Sequence, residues 1–151
     1  MAQYLLGVDN GCTVSKAALF SLDGRELAVA SAKSELLCPQ PGWQERDMNQ
    51  MWQGTAEAIG KVIAQAGIDA AEVNCVACTG HGNGLYLVDK QGRPVRNAIL
   101  STDARARAYA DQWLADGIDK KVRPKTMQSI WAAQPNALLA WLRDNEPEVM
   151  K

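Results

Sequence analysis

The chain has 151 residues, of which 47% are hydrophobic and 22% are charged, proportions typical of a folded globular protein. Its formal net charge of −1 excludes the strongly basic surface that attracts nucleic acids and anionic membranes. No apolar run reaches the length of a bilayer span, and the N-terminus has no signal-peptide pattern. We therefore expect a cytoplasmic protein with neither nucleic acid nor a membrane as partner.

Three β-strands are predicted in the first third of the chain, because short apolar segments alternate with turn residues such as Asp23-Gly24. The predicted strands are Tyr4–Val8, Lys16–Leu22 and about Glu26–Ser34. The dipeptide Asn10-Gly11 favours a tight turn between the first two strands.

A helix is predicted after the loop CPQPGWQERD, since apolar residues recur at helical spacing from Met48 to Ala66. Asp47 is a candidate N-cap, and Gly67 is a candidate for the left-handed residue that ends a helix. We assign Trp43 and Glu45 a structural role in holding the loop that leads into this helix.

The remainder of the chain predicts further strands and two helices. The strands are Val73–Thr79, Leu85–Val88 and about Pro94–Leu100, and the helices lie near Asp103–Asp116 and Asn136–Asn145. This mixture of elements predicts an α/β fold.

Two of the four cysteines, Cys75 and Cys78, form a CxxC pair. The pair lies in VNCVACT, a predicted strand, where residues three apart point to opposite faces. A zinc site would also require further thiolate or imidazole ligands, and His81 is the single histidine. We therefore predict buried structural thiols.

The segment GHGNG, Gly80–Gly84, also follows a predicted strand. Its spacing differs from GxGxxG, and the next residues, LYLVD, predict a strand rather than the helix whose N-terminus would bind a pyrophosphate. Two interpretations stay open. One is a hairpin that turns at Asn83-Gly84; the other is bare backbone that a small polar ligand can approach closely.

The opening stretch LLGVDNGCTVSKAALFSLDG contains more polar and charged residues than a tight turn requires. Asn10-Gly11 would turn the chain without an aspartate at the end of the first strand or a lysine in the second. A plain solvated hairpin is the alternative when this stretch is considered by itself.

Four segments occur in a recognisable order, and they are Asp9–Lys16, Gly42–Asp47, Gly80–Gly84 and Asn97–Arg105. This order resembles the N-terminal domain of the FGGY carbohydrate kinases, the family of glycerol kinase and xylulokinase. The final helix, LLAWLRDNEPEV, resembles the family's helix at the same place. The resemblance covers essentially all of residues 1–151, and it is closest to the kinases of xylulose and L-xylulose.

The resemblance implies an RNase H-like (actin-like ATPase) fold, a mixed sheet with flanking helices, that forms the first lobe of a two-lobe kinase. In this family the first hairpin turn cradles the phosphates of ATP, since successive N–H groups in a tight turn form an anion-binding concavity. The implied cofactor-binding residues are Asp9, Gly11, Cys12, Thr13, Ser15 and Lys16.

The implied roles follow from the chemistry of each side chain. Asp9 would hold Mg²⁺ through water, because Mg²⁺ keeps much of its hydration. Thr13 and Ser15 would donate hydroxyl groups, and Lys16 would offset phosphate charge. Cys12 stands where the family usually has Thr or Ser, and a thiol is a weaker donor than a hydroxyl.

The resemblance also implies a sugar site at Gly82, Asn83, Asp103 and Trp131. Gly82 and Asn83 stand where glycerol kinases have Arg-Glu and xylulokinases have Met-His, and the Asn83 amide suits a sugar hydroxyl. Asp103 would accept hydrogen bonds from the polyol, or alternatively would cap a helix. Ser101 stands where the family commonly has a Trp that forms an apolar wall of the sugar pocket. Trp131 would supply that wall instead, or alternatively would be a core residue.

The family's second lobe supplies an aspartate base and the adenosine site, so the resemblance assigns no catalytic residue to this chain. We expect the parent enzyme to be a homodimer that phosphorylates a small sugar, and the fragment alone to be inactive. Two alternatives stay open: an actin-like ATPase or phosphatase, and a free-standing sugar-binding or regulatory module. The module predicts that apolar residues of the last helix are covered within this chain, namely Leu138, Leu139, Trp141 and Leu142.

Overall fold

The computed structural model describes residues 3–150, which divide into two units. One of them, here called the sheet unit, comprises the described residues up to Glu35 together with Asp47–His81. The helical unit takes Leu36–Arg46 and the described residues from Gly82 onward.

A mixed four-stranded sheet lies in the sheet unit. Its strands are β1 (Tyr4–Asn10), β2 (Val14–Ser21), β3 (Glu26–Lys33) and β5 (Val73–Gly80). Their order across the sheet is β3-β2-β1-β5. β2 is antiparallel to both β1 and β3, whereas β5 is parallel to β1. All four predicted strands are confirmed. β1 ends two residues later than predicted, because Asp9 and Asn10 still pair with β2.

One helix, α1 (Met48–Ala66), packs against this sheet. Its buried residues Ala58 and Val62 join Leu6, Val8 and Leu19 in one apolar cluster. Both predicted ends are confirmed. The Asp47 carboxylate accepts hydrogen bonds from the backbone N–H groups of residues 49 and 50, and Gly67 is left-handed with φ 66°.

We predict that Asp47→Ala destabilises the sheet unit by about 1 kcal/mol, because two N–H groups of the first turn lose their acceptor. Urea unfolding measures the change. Asn49→Ala is the matched control, because it keeps the backbone donor and alters an exposed side chain. Equal stability of the two variants would contradict the capping role.

The helical unit contains three α-helices and a two-stranded ribbon. The helices are α2 (Arg107–Ala115), α3 (Ile118–Thr126) and α4 (Pro135–Asn145), and the ribbon pairs β4 (Glu45–Arg46) with β6 (Ala98–Ile99). Two short 3₁₀ segments also occur, Ala70–Glu72 in the sheet unit and Pro147–Met150 in the helical unit. The core of the helical unit gathers Ile99, Ala106, Leu138 and Leu142.

Several predictions for the helical unit are wrong in detail. Leu85–Val88 is not a continuous strand: it forms isolated bridges, from Leu85 to Ile99 and from Val88 to Pro94. α2 begins at Arg107 rather than near Asp103. α3 was not predicted, because its sequence, IDKKVRPKT, is highly charged and contains a proline.

The prediction that Cys75 and Cys78 are buried is also wrong, since both are exposed. The reason is topological: β5 is an edge strand, and its residues are exposed from Asn74 onward. Within residues 3–150, no three or more His, Cys, Asp or Glu side chains are grouped so that they could hold a metal ion by themselves. Of the helices in the described part of the chain, none combines the length and the apolar character that crossing a bilayer requires.

Candidate functional site

The turn between β1 and β2 is narrow and held by backbone contacts. Gly11 N–H donates to the Val14 carbonyl at 3.2 Å. A Cβ at Gly11 would lie 3.0 Å from that same oxygen, so the turn favours glycine. Thr13 is exposed at its tip, whereas Gly11 and Cys12 are half-buried. Of the predicted phosphate residues, Thr13 therefore has the hydroxyl most accessible to a ligand.

Strand alternation separates the predicted phosphate residues onto two faces of the sheet. Asp9 lies directly opposite Lys16 in the ladder. Both line an open groove of about 390 Å³ on the face away from α1, together with Thr79 at the end of β5. The carboxylate and the ammonium group that could bind a metal–phosphate ligand are thus brought together.

Ser15 lies on the other face of the sheet, which α1 covers. It lies opposite Asn10 and points toward α1, and it is only 1% exposed. Its hydroxyl donates to Asn10 Oδ1 at 3.0 Å. The prediction that Ser15 donates to a phosphate is wrong, because strand alternation places it on the face opposite Asp9 and Lys16.

The environment of Asp9 fits a magnesium–phosphate ligand. Its carboxylate has no hydrogen-bond or ion-pair partner among the described residues. One carboxylate together with ligand phosphates is a common way for proteins to bind Mg²⁺. Asp9 could therefore hold the metal, and Lys16 could neutralise phosphate charge beside it.

In the helical unit, the segment Gly82–Gly84 packs against two other pieces of backbone. Gly84 N–H donates to the Ala133 carbonyl at 2.9 Å, and a Cβ at Gly84 would lie 2.5 Å from the Ile99 carbonyl oxygen. Asn83 and Gly84 are both left-handed, with φ 63° and 75°. Gly82 is exposed, with no atom near the position of a Cβ. Gly82 therefore exposes bare backbone, and the approach of a small polar ligand to it stays a prediction.

Asp103 and Trp131 line one groove of about 320 Å³, which Ser101 also borders. Trp131 is 38% exposed, so it is a groove wall rather than a core residue. Asp103 is only 2% exposed, and it binds the backbone N–H of Gln44 and both the backbone and the guanidinium of Arg105. Because both of its oxygens are occupied, these contacts favour a structural role for Asp103, and sugar binding by this residue stays a prediction.

The buried charges of the helical unit meet at Glu45. Arg105 and Arg96 bind one oxygen of its carboxylate at 2.8 and 2.5 Å, and Asn97 binds the other. The Arg105 guanidinium also stacks on Trp43 at 4.0 Å. These contacts support the structural role assigned to Trp43 and Glu45.

We predict that Gly84→Ala lowers the thermal midpoint of the chain by several degrees, because a side chain there is strained and would collide with the Ile99 carbonyl. Gly82→Ala is the matched control. It should leave the midpoint unchanged, since nothing lies within 4 Å of the added carbon. Equal midpoints for Gly84→Ala and the parent chain would contradict the packing of this segment.

Sequence reasoning missed three residues beside the predicted phosphate site. Thr79 lines the groove with Asp9, and Asn10 and Thr55 bind each other beneath the turn at 2.7 Å. One signal was available for Thr55, a buried hydroxyl residue on the otherwise apolar face of α1. Thr79 carried no signal, because the pairing of β5 with β1 is a long-range contact.

Comparison with known proteins identifies the relatives of this chain. Residues 4–151 match the N-terminal domain of the FGGY family of carbohydrate kinases. The chain is 40% identical over 148 residues to the L-xylulose/3-keto-L-gulonate kinase of Escherichia coli, covering 98% of this chain and 30% of that protein. It is 35% identical over 144 residues to a probable L-xylulose kinase of Haemophilus influenzae, covering 95% and 30%. The chain thus spans about 30% of the length of these relatives.

The crystal structure of xylulose kinase from Rhodospirillum rubrum superimposes with a TM-score of 0.87 at 26% identity, covering 97% of this chain and 30% of that one. Sugar kinases of this kind have the actin-like ATPase fold. The predicted RNase H-like α/β fold, a mixed sheet with flanking helices, is confirmed.

Proposed function

We propose, from the premise that this chain belongs to the FGGY family of carbohydrate kinases, that it is the N-terminal, sugar-side lobe of an ATP-dependent sugar kinase. The parent enzyme would transfer the γ-phosphoryl group of ATP to a hydroxyl of a ketopentose such as xylulose. It would act in the cytoplasm as a homodimer.

The observation that carries this proposal is the pairing of Asp9 with Lys16 on the open face of the sheet, beside the narrow turn at Gly11. A groove with one anionic and one cationic side chain suits a metal–triphosphate ligand, because the carboxylate attracts the metal and the ammonium group attracts the phosphates. Bound Mg²⁺ would neutralise the charge that develops on the phosphate oxygens. Asp9 would hold it, and Lys16 and Thr13 would contact the phosphates.

The sugar would lie against residues of the helical unit. Gly82 leaves space for a hydroxyl-bearing ligand, Asn83 offers an amide donor and acceptor, and Trp131 offers an apolar wall. The ketopentose class is supported by the two L-xylulose kinases among the relatives.

The proposal places the base that activates the sugar hydroxyl outside this chain, in a second lobe. Phosphoryl transfer requires a base within hydrogen-bond reach of the attacking hydroxyl. Asp9 could not serve as that base while it holds the metal. We therefore propose that the chain alone does not turn over ATP.

A free-standing sugar-binding or regulatory module is the second candidate, and one observation favours it. Leu138, Trp141 and Leu142 are all buried within the helical unit, and Leu139 packs against the same cluster.

An ATP-consumption assay against ketoses, aldoses and glycerol tests the proposal. The chain is compared with an extended protein, in which it is continued by its own downstream coding sequence. We expect turnover only in the extended protein, with a ketopentose preferred. Turnover by the 151-residue chain would contradict its assignment as an incomplete lobe, and inactivity of both with every polyol would support the binding module.

A further inference from the structure

Three polar side chains meet beneath the opening turn, on the face of the sheet that α1 covers. Asn10 Oδ1 accepts a hydrogen bond from the Ser15 hydroxyl at 3.0 Å. The Thr55 hydroxyl lies 2.7 Å from Asn10 Oδ1 and 2.8 Å from the Met51 carbonyl, so these two acceptors share its single proton. The two hydroxyl oxygens lie 3.2 Å apart. We propose that these three side chains, here named the hairpin anchor, are positioning residues that hold the turn in the shape that receives phosphate. This inference rests on the proposed function.

The surroundings of the hairpin anchor indicate that its polar side chains are not required for the stability of the fold. Ser15 and Thr55 are 1% and 8% exposed, and they border a cluster that includes Leu6, Val8 and Ala58. Burying hydroxyl groups among apolar side chains is costly unless each is hydrogen-bonded. Replacing every member of a hydrogen-bonded set by apolar groups of the same shape is often neutral or stabilising, whereas removing only the donors leaves the remaining acceptor unsatisfied. Apolar side chains at all three positions would therefore fill this layer at least as well.

The hairpin anchor holds Asn10 in a single orientation. The carbonyl oxygen of Asn10 accepts the His81 N–H at 3.3 Å, and His81 Nδ1 lies 3.2 Å from it. A Cβ at Gly80 would be 3.0 Å from this carbonyl, so the end of β5 closes tightly against it. Asn10 is thus fixed by its side chain to α1 and by its carbonyl to the segment after β5.

The neighbours of Asn10 in sequence are the residues that the phosphate site requires. Asp9 precedes it and Gly11 follows it, so rotation of Asn10 would redirect both the carboxylate and the backbone of the turn. Misplacing a binding group by about 1 Å can reduce an enzyme's rate by roughly 100-fold. A buried group without ligand contact can therefore control how the turn receives phosphate.

Amide hydrogen exchange, measured by NMR on the 151-residue chain, tests the hairpin anchor without reference to kinase activity. The variant Ser15→Ala/Thr55→Val removes both donors to Asn10. We expect exchange at the Gly11 and His81 amides to become about 10-fold faster, as in local opening, while the Leu19 amide in the middle of β2 is unchanged. Ser21→Ala, at the far end of β2 and bonded to Asp23, is the control. Unchanged exchange at Gly11 and His81 would overturn the inference.

Kinetics of the extended protein provide the second readout. Thr55→Val should lower kcat/KM for ATP by about 10-fold and leave KM for the sugar unchanged. The thermal midpoint should fall only slightly, because Asn10 keeps the Ser15 hydroxyl as a donor. Thr55→Ser, which keeps the hydroxyl, should restore the activity. An equal loss for both substrates would show a merely structural role and overturn the inference. If the parent extended protein is inactive, the proposed function fails, and the exchange experiment still decides whether the hairpin anchor exists.

Discussion

Under the proposed function, we expect that replacing Asp9 by asparagine in the extended protein lowers kcat by about 100-fold, because the variant would lose the carboxylate that holds Mg²⁺. The fold should be unaffected, since the Asp9 side chain has no hydrogen-bond or ion-pair partner among the described residues. Steady-state kinetics at saturating ATP measure the loss, and a magnesium titration should show a higher concentration at half-maximal rate.

Glu57→Gln is the control for Asp9→Asn. It removes one negative charge from the exposed surface of α1, where Glu57 pairs with Lys61 at 3.6 Å. Its kinetics should equal those of the parent. An Asp9→Asn variant with full activity and an unchanged magnesium requirement would remove Asp9 from the proposed site.

Replacing Glu45 by alanine should destabilise the chain by about 3 kcal/mol, because Arg105 and Arg96 lose their shared carboxylate and keep only Asp103 and Glu146, respectively, as partners. The Arg105 side chain is fully buried and that of Arg96 is 11% exposed, so water cannot easily replace the lost partner. The thermal midpoint should fall by roughly 10 °C for a domain of this size. Differential scanning calorimetry measures the shift.

Asp144→Ala is the matched control for Glu45→Ala. It removes a carboxylate that pairs with Arg143 at 2.6 Å and accepts the Tyr109 hydroxyl at 2.9 Å, and both contacts are at the exposed surface. Exposed ion pairs contribute little to stability, so the midpoint should not change. A Glu45→Ala variant as stable as the parent would show that the buried charges can be released to solvent, and Trp43 and Arg105 would then require another explanation.

The features that sequence predicted best are those that local pattern determines. The helix Met48–Ala66 has apolar residues at helical spacing, an aspartate before it and a glycine after it, and each of these acts as expected. The strands around the first turn are also local, since consecutive strands pair in a hairpin. The Asp9–Lys16 pairing follows directly from that hairpin's register.

The features that sequence reasoning missed depend on contacts between distant segments. The burial of Asp103 follows from its bonds to Gln44 and Arg105, and 59 residues separate it from Gln44 along the chain. The exposure of Cys78 follows from the place of β5 at the edge of the sheet. Ser15 was misassigned for a simpler reason, because the alternation of a strand puts it on the face opposite Lys16.

Phosphorus NMR on the extended protein with magnesium, ATP and L-xylulose identifies where the γ-phosphoryl group goes. We expect one sugar monophosphate to appear for each ADP formed, and neither product to form without the ketose. Release of inorganic phosphate, or ADP formation without the sugar, would instead identify an actin-like ATPase or phosphatase and would contradict the assignment as the sugar-side lobe of a kinase.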